Sequence, residues 1–317
     1  MCWARHFKGS GTFALAVLGL AMTLQAEPYA TLKVVPKLPA EGTELPIFAQ
    51  GAEALDFTTG DVLYAKNPDE MLYPASATKI LTALIVIEAG HLDQMVTTAP
   101  EDTKVEPSKL DLRPGEVHPR IELLYGLLLH SANDVALELA RDNAGSVADF
   151  ADKMNTVAER LGATHSHFVT PNGLHDKNHF TTAHDLALIA RAAMQQPVFR
   201  RVVGTERYWW KGQMGVMELL NHNRMLGRFP GCTGIKTGYT VPAQQVLVSS
   251  AMWGQHEVIS VVLHTNKPGI WNDSKLLLTY GLTHLLSEPA TTVPDLSPTP
   301  GAVETKKVSN STPTDKK

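Results

Sequence analysis

The chain has 317 residues and a formal net charge of -4, a length that suits one large domain or two small ones. Hydrophobic residues make up 44% of it, which is ordinary for a globular protein with a full core. Because the net charge is slightly negative, the composition gives no basic surface for nucleic acid, and we expect no nucleic-acid partner.

Residues 1–26 are typical of a secretory signal peptide. Arg5 and Lys8 give the segment a positive start, an apolar run follows, and the small Ala26 offers a cleavage point. The run is too short to indicate a membrane span, and an uncleaved signal anchor is the alternative. We expect an exported protein of the periplasm or cell envelope, with peripheral membrane association left open. Cleavage would leave one of the two cysteines, so no intramolecular disulfide is expected.

After a Pro-rich arm over residues 27–47, apolar periodicities predict the order strands, helical block, strands, helix. The predicted strands are Ala52–Phe57, Asp61–Lys66, Glu206–Trp210, Gly234–Tyr239, Gln244–Met252 and Glu257–His264. The predicted helices are one that follows Ser76 and ends near Gly90, then Ile121–His130, Val135–Asn143, two that start at the capping residues Ser146 and Thr182, and Asn272–Leu286. This order predicts an α+β fold in which N- and C-terminal strands share one antiparallel sheet and a large helical block packs against it. Residues 288–317 are polar and are predicted to be a disordered tail.

Three short motifs occur once each and in a fixed order: Ser76-Ala77-Thr78-Lys79, Ser131-Ala132-Asn133 and Lys236-Thr237-Gly238. Each motif alone has an ordinary structural explanation, because serine and asparagine are common helix caps and a lysine often protects an edge strand. Together, in their predicted settings, the three motifs describe a serine acyl-transfer site.

The first two motifs supply a nucleophile, a base and a proton relay. Ser76 is predicted at the start of a helix, where its backbone N–H faces the oxygen on which negative charge develops. Lys79 lies one turn later on the same helix face, and a buried lysine of lowered pKa can take the serine proton. Ser131 and Asn133 fall in the break between two helices. There Ser131 can pass a proton to the leaving amine, and Asn133 can hold the lysine and the substrate backbone.

The third motif lies in a predicted strand. Lys236 adds positive potential, and the hydroxyl of Thr237 can bind a terminal carboxylate. Gly238 lets a substrate backbone approach closely. The N–H of Tyr239 can complete an oxyanion hole with that of Ser76.

With these motifs the chain resembles a low-molecular-mass penicillin-binding protein, a serine-type D-Ala-D-Ala carboxypeptidase of the peptidase S11 type. The similarity is carried by Tyr73-Pro74-Ala75-Ser76-Ala77-Thr78-Lys79, Thr170-Pro171-Asn172-Gly173-Leu174, Phe180-Thr181-Thr182-Ala183-His184-Asp185 and the stretch from Pro230 to Thr240. It implies a β-lactamase/transpeptidase-like fold, which agrees with the predicted element order. We therefore expect a transpeptidase-like catalytic domain over residues 48–287.

The resemblance also implies a function. The penultimate D-Ala of a peptidoglycan stem peptide would acylate the serine, D-alanine would leave, and water assisted by the lysine would hydrolyse the ester. β-Lactam antibiotics would acylate the same serine as covalent inhibitors. The implied catalytic residues are Ser76, Lys79, Ser131, Asn133 and Lys236, and the implied substrate-binding residues are Thr237, Gly238, Tyr239 and Thr240. No cofactor and no metal are expected.

Two departures from the family pattern stand within the site. Ala132 replaces the usual glycine, which is a small change. Ile270 stands where many relatives carry an arginine that helps to bind the substrate carboxylate. Thr237 and Thr240 would then bind the carboxylate alone, or Lys267 would substitute. A lysine lacks the bidentate fork of arginine, so the preference for a free C-terminal carboxylate is open.

Several alternatives stay open beside the carboxypeptidase. The nearest is a D,D-endopeptidase that cleaves peptidoglycan cross-links, an activity of some single-domain relatives that this chain resembles. A β-lactam or peptidoglycan sensor without turnover is more distant. A zinc D,D-peptidase would use the histidines between residues 165 and 184, for which polar loop positions are the simpler explanation. A class A β-lactamase is disfavoured, because no glutamate with the required asparagine spacing lies between Ser131 and Lys236.

Overall fold

The computed structural model describes residues 44–287, which contain nine β-strands and seven α-helices. The predicted signal peptide (1–26), the predicted tail (288–317) and most of the predicted arm (27–47) lie outside the described residues. The end of that arm packs onto the fold, because Leu45 and Ile47 are buried. No helix between residues 44 and 287 is long and apolar enough to cross a membrane.

Five strands form one antiparallel sheet in the spatial order β2-β1-β9-β8-β7. Their bounds are Gly51–Asp56 (β1), Val62–Lys66 (β2), Cys232–Thr240 (β7), Gln244–Trp253 (β8) and His256–Thr265 (β9). The first strand pairs with the last one, with Gly51 opposite Leu263 and Asp56 opposite Val258. The prediction that N- and C-terminal strands share one antiparallel sheet is therefore confirmed.

The helical block is inserted between the two halves of the sheet. Its helices are Lys79–Glu88 (α1), Arg120–Leu129 (α2), Asn133–Ala144 (α3), Val147–Arg160 (α4), Ala183–Met194 (α5) and Pro197–Val203 (α6), and the closing helix is Gly269–Ser287 (α7). The predicted caps are confirmed. Ser146 accepts a hydrogen bond from the N–H of Asp149, and Thr182 accepts one from the N–H of Asp185. Each cap therefore satisfies one of the free N–H groups at its helix start.

The sheet is buried on both faces, and successive residues of its strands serve two apolar layers. Val246 and Val248 of β8 belong to the larger layer between the sheet and the helical block, whereas Leu247 and Ala251 belong to the layer under α7. This alternation follows from the two-residue period of a strand. Helix α1 runs through the larger layer with every residue from Lys79 to Ile87 buried.

The sequence patterns missed four short elements. These are α6 and the strands Met95–Thr97 (β3), Val117–Pro119 (β4) and Gly215–Leu220 (β6). Helix α6 has only seven residues, which is too few for a clear periodicity. Strand β6 pairs with Arg207–Gly212 (β5) in a hairpin whose apolar residues are mostly exposed, so it lacks the alternation that marks a half-buried strand.

The carboxylate of Asp273 ties the segment before β1 and the end of β9 to α7. It accepts hydrogen bonds from the backbone N–H groups of Phe48 and Ala49 and from the hydroxyl of Thr265, at 2.9–3.1 Å. We predict that Asp273→Ala lowers the free energy of unfolding by about 3 kcal/mol, because several buried donors lose their acceptor. Chemical denaturation checks this. In Asp273→Asn, which keeps one acceptor oxygen, the free energy of unfolding should fall clearly less. An equal fall in the two variants would contradict the role of the carboxylate.

Candidate active site

Ser76 lies in a short 3-10 turn, Ala75–Thr78, that leads directly into α1. The turn is fixed from inside, because the hydroxyl of Thr78 donates to the carbonyl of Ala75 at 2.8 Å. The predicted position of Ser76 at a helix start is confirmed. Its backbone N–H therefore belongs to the positive end of a buried helix, which favours an anion.

Lys79 follows one turn later and is fully buried. Its Nζ lies 3.0 Å from Ser76 Oγ, 2.8 Å from Asn133 Oδ1 and 2.7 Å from the backbone carbonyl of Asn172. A neutral amine has two N–H donors and one lone pair. The two carbonyl oxygens can only accept, so they take both donors, and the lone pair is left for the proton of Ser76.

The electrostatics favour this neutral form. Burial lowers the pKa of Lys79 well below its usual value, and the charge of nearby Lys236 lowers it further, while Asp134 opposes the shift. Burial also lowers the pKa of Lys236 to about 7. A buried ammonium is costly and a second cation beside it is more so. Near neutral pH the pair therefore favours a neutral Lys79, whereas Lys236 keeps part of its charge.

Ser131 and Asn133 lie at the junction of α2 and α3, where the sequence predicted them. Ser131 has a φ of 64°, which turns the chain sharply between the two helices. The side chain of Asn133 bridges the site, since its oxygen accepts from Lys79 and its amide group donates to the carbonyl of Glu106 at 2.9 Å. The neighbouring carboxylate of Asp134 holds the backbone N–H groups of Leu110 and Leu112. The junction is thus braced by a loop that precedes it in the chain.

Strand β7 is an edge of the sheet and carries the third motif beside the serine. Lys236 is buried, with its Nζ 3.0 Å from the carbonyl of Thr237. A methyl group on Gly238 would lie 2.9 Å from the backbone nitrogen of Ser76. The strand therefore approaches the serine as closely as a glycine permits. Tyr239 is exposed at the same edge.

The loop with Asn172 and Gly173 contributes a contact that the motifs did not indicate. Its Asn172 carbonyl is one of the acceptors for Lys79, and the hydroxyl of Thr82 donates to the carbonyl of Pro171 at 2.7 Å. Gly173 has a φ of 81°, and a Cβ there would lie 1.8 Å from the carbonyl oxygen of Ala75. The Pro-Asn-Gly sequence was noted within the family resemblance, but a backbone carbonyl leaves no side-chain signal by which its role could be found.

The histidines of the neighbouring segment have structural contacts. His179 is buried, its Nδ1 accepts from the N–H groups of Val169 and Thr170, and its Nε2 donates to Thr78 Oγ1 at 2.9 Å. Burial lowers the pKa of His179 to about 4, so the ring is neutral. Across residues 44–287, no three metal-ligating side chains are gathered in one place. His179 thus supports the turn that carries Ser76.

The predicted residues line one cleft with a volume of about 760 Å³. Ser76, Ser131, Asn133, Thr237, Gly238, Tyr239 and Thr240 all contribute to its walls, and Lys79 and Lys236 lie buried beneath them. Ile270 also reaches the cleft but is only 2% exposed and belongs to the apolar layer under α7. Lys267, exposed at the same end, supplies a cation there.

The sequence from residue 39 to residue 267 matches the model of the peptidase S11 family, which is described as D-alanyl-D-alanine carboxypeptidase. The chain belongs to the peptidase S11 family.

Several relatives share both sequence and fold. The chain is 34% identical over 232 residues to the D-alanyl-D-alanine carboxypeptidase DacF of Bacillus subtilis, which covers 71% of this chain and 60% of the relative. It therefore matches less than two thirds of that relative's length. It is 36% identical over 259 residues to the D-alanyl-D-alanine carboxypeptidase of Streptomyces sp. strain K15, covering 75% of this chain and 89% of the relative. The crystal structure of the Streptomyces K15 DD-transpeptidase has a TM-score of 0.72 at 33% identity, over 76% of this chain and 99% of that one.

The contact between Gly238 and the serine turn generates a prediction. In Gly238→Ala the added methyl group would press on the backbone nitrogens of Ser76 and Ala77, at 2.9 and 3.2 Å. We expect labelling by a fluorescent penicillin to slow by about 100-fold, as when one oxyanion-hole donor is lost. Gly254→Asn is the control, because Gly254 lies in an open hairpin turn whose positive φ asparagine tolerates. Normal labelling of Gly238→Ala would contradict the close approach.

Proposed function

We propose that the protein is a serine D,D-carboxypeptidase that removes the terminal D-alanine from peptidoglycan stem peptides through an acyl-enzyme on Ser76. The observation that carries this proposal is the contact of 3.0 Å between Lys79 Nζ and Ser76 Oγ, made by an amine whose pKa is lowered and whose remaining bonds go to carbonyl oxygens. Membership of the peptidase S11 family supports the same reaction.

In the acylation step Lys79 takes the proton of Ser76, and Oγ attacks the carbonyl carbon of the penultimate D-Ala. The negative charge on the carbonyl oxygen faces the backbone N–H groups of Ser76 and Tyr239. Ser131 passes this proton from Lys79 to the nitrogen of the terminal D-alanine, so that Lys79 is neutral again as the C–N bond breaks and D-alanine leaves. The product is an ester of the shortened peptide with Ser76.

In the deacylation step a water molecule replaces the leaving D-alanine. Lys79 takes a proton from it, the resulting hydroxide attacks the ester carbonyl, and Ser76 recovers its proton as the bond to Oγ breaks. Asn133 keeps Lys79 in place through both steps. A β-lactam would follow the same acylation, but its leaving group stays attached and blocks the position of the water.

The substrate would lie along the free edge of β7. Lys236 supplies positive potential from below, and the hydroxyls of Thr237 and Thr240 bind the terminal carboxylate. We further propose that the protein is exported and works in the periplasm or cell envelope, as the sequence of residues 1–26 and a cell-wall substrate both suggest. Peripheral association with the membrane is part of this proposal and rests on the sequence alone.

The second candidate is a D,D-endopeptidase acting on peptidoglycan cross-links. One observation favours it: Ile270 is an apolar, buried residue at the end of the cleft where many relatives carry an arginine. Without that arginine, the cleft depends less on a free C-terminal carboxylate in the substrate, so a cross-linked peptide can also bind. A sensor that is acylated without turnover is the third candidate.

The first experiment follows covalent labelling and product together. We predict that the wild-type protein is labelled by fluorescent penicillin and releases D-alanine from diacetyl-Lys-D-Ala-D-Ala. Ser76→Ala and Lys79→Ala should lose both activities by at least 1,000-fold, since nucleophile and base act as a unit. Ser287→Ala, an exposed serine outside the cleft, should behave as wild type.

The possible outcomes separate the candidates. Unchanged D-alanine release by Ser76→Ala would overturn the serine mechanism. Labelling without D-alanine release, together with cleavage of a cross-linked muropeptide dimer, would identify the endopeptidase. Labelling with no cleavage of either substrate would identify the sensor.

The two lysines also give a prediction for the pH dependence of D-alanine release. The neutral form of Lys79 is the active one, so kcat/KM should fall as the pH drops through its lowered pKa. The charged form of Lys236 attracts the carboxylate, so kcat/KM should also fall as the pH rises through about 7. Each single ionisation gives about a tenfold change per pH unit along its limb.

The variant Lys236→Arg separates the two limbs. Arginine stays charged over the whole range, so the alkaline limb should disappear and the acid limb should remain. An alkaline limb that persists in this variant would show that another group controls it.

A further inference from the structure

The cleft wall is more basic than the chain as a whole. The chain carries a net charge of -4, yet the cleft lining has one carboxylate, Glu206, against four cations. Those cations are Arg207, Arg224, Arg228 and Lys267. Neither the deprotonation of the serine nor the resting lysine pair requires this excess of positive charge. It indicates a ligand with more than one negative group.

The cations differ in how they are bound. Arg207 forms an ion pair with Glu218 at 3.1 Å. Arg224, Arg228 and Lys267 have no carboxylate within ion-pair distance among residues 44–287. Of these three, Arg224 is the one that directly adjoins Asn223, which also lines the cleft.

The loop that carries Arg224 is rigidly built. The side-chain oxygen of Asn221 accepts from the N–H of Asn223 at 2.9 Å, while its amide group donates to the carbonyls of Val203 and Thr205 at 3.0 Å. The side-chain oxygen of Asn223 in turn accepts from the N–H of Met225 at 3.0 Å.

The neighbours of Arg224 fix its backbone. Asn223 and Met225 are 2% and 1% exposed. Arg224 thus stands between two buried anchors, and it is itself exposed and lines the cleft. The loop therefore need not become ordered when a ligand binds, and only the side chain of Arg224 has to.

A second observation points to a ligand at the same place. Asn223 lines the cleft, and its buried Nδ2 has no hydrogen-bond partner among residues 44–287. The assignment of its two side-chain atoms follows from the bond to Met225, which only the oxygen can accept. A buried donor without an acceptor is costly. A ligand oxygen that enters the cleft beside Asn223 would supply the missing acceptor, after a small shift that uncovers Nδ2.

We propose that Asn223 and Arg224 form a substrate subsite, in which the Asn223 amide donates to a peptide oxygen and Arg224 binds a substrate carboxylate. This inference deepens the proposed function, on which it rests for the class of ligand. Two sources of that carboxylate are distinguished by the test: the C-terminal D-Ala and an acidic side chain at the third residue of the stem peptide. Arginine binds a carboxylate through two parallel hydrogen bonds. Arg224 would therefore supply the bidentate contact that the apolar side chain of Ile270 cannot make.

The test measures peptide binding in the Ser76→Ala background, so that turnover plays no part. The four ligands have either lysine or diaminopimelate at the third residue and either a free or an amidated C-terminus. Lysine and diaminopimelate differ by one carboxylate only. Dissociation constants come from NMR titration, with Arg224→Gln compared with Arg224→Lys and with Arg201→Gln. Arg201 is an exposed arginine of α6 outside the cleft and serves as the matched control.

We expect Arg224→Gln to weaken binding of the peptides that carry the recognised carboxylate by about 10- to 100-fold, with a smaller loss in Arg224→Lys and none in Arg201→Gln. A loss confined to peptides with a free C-terminus assigns Arg224 to the terminal carboxylate. A loss confined to diaminopimelate peptides assigns it to the third residue. An equal loss for all four peptides, no loss, or no binding by the parent Ser76→Ala protein overturns the proposal.

A second variant tests the amide donor. Asn223→Asp keeps the acceptor for the Met225 N–H but replaces the Nδ2 donor by an oxygen. We expect weaker binding of all four peptides, by about tenfold or more, measured at a temperature where the NMR spectrum shows that the variant is folded. Unchanged binding would overturn the role of Asn223. D-alanine release by the protein with Ser76 intact is measured separately, so a failure of the proposed reaction is distinct from a failure of the subsite.

Discussion

The central constraint on this structure is the burial of one amine. Lys79 has no contact with solvent, and its Nζ meets two carbonyl oxygens and the oxygen of Ser76. A buried ammonium would be penalised by several kcal/mol, so the fold favours a neutral base. The acceptors come from α3 and from the loop with Asn172, which are far apart in the chain. Any change that opens this amine to bulk solvent in the resting protein would raise its lowered pKa and favour its charged form.

The rest of the architecture keeps that environment rigid and dry. Helix α1 is buried along almost its whole length, and the sheet is covered on both faces. The turn with Ser76 is held from below by His179 through Thr78, and β7 closes on it from the side at Gly238. Preorganisation of this kind means that the groups need not move when charge develops on the substrate oxygen.

Much of this could be predicted from the sequence, for identifiable reasons. Strongly periodic segments such as α4 and side-chain caps such as Ser146 leave local patterns, and the three motifs indicate which residues meet at the cleft. Asn172 contributes a backbone carbonyl, and Asn223 contributes an amide made free by a neighbouring hydrogen bond. These two roles depend on tertiary contacts, so they cannot be predicted from the residue type. In the exposed hairpin of β5 and β6, the sequence did not predict β6, because tertiary context and not an alternating pattern defines this strand.

The pairing of β1 with β9 determines when the five-stranded sheet can first form during synthesis. These strands are neighbours in space but about two hundred positions apart in the chain. Until β9 has been made, β1 and β2 form only a lone hairpin, which is marginally stable in water. The long loop between β1 and β9 must close before their contacts contribute any stability, and this closure is slow. The sheet therefore cannot be completed until nearly all of residues 44–287 have been made, and a chain that stops before β9 lacks the strand that joins β8 to β1.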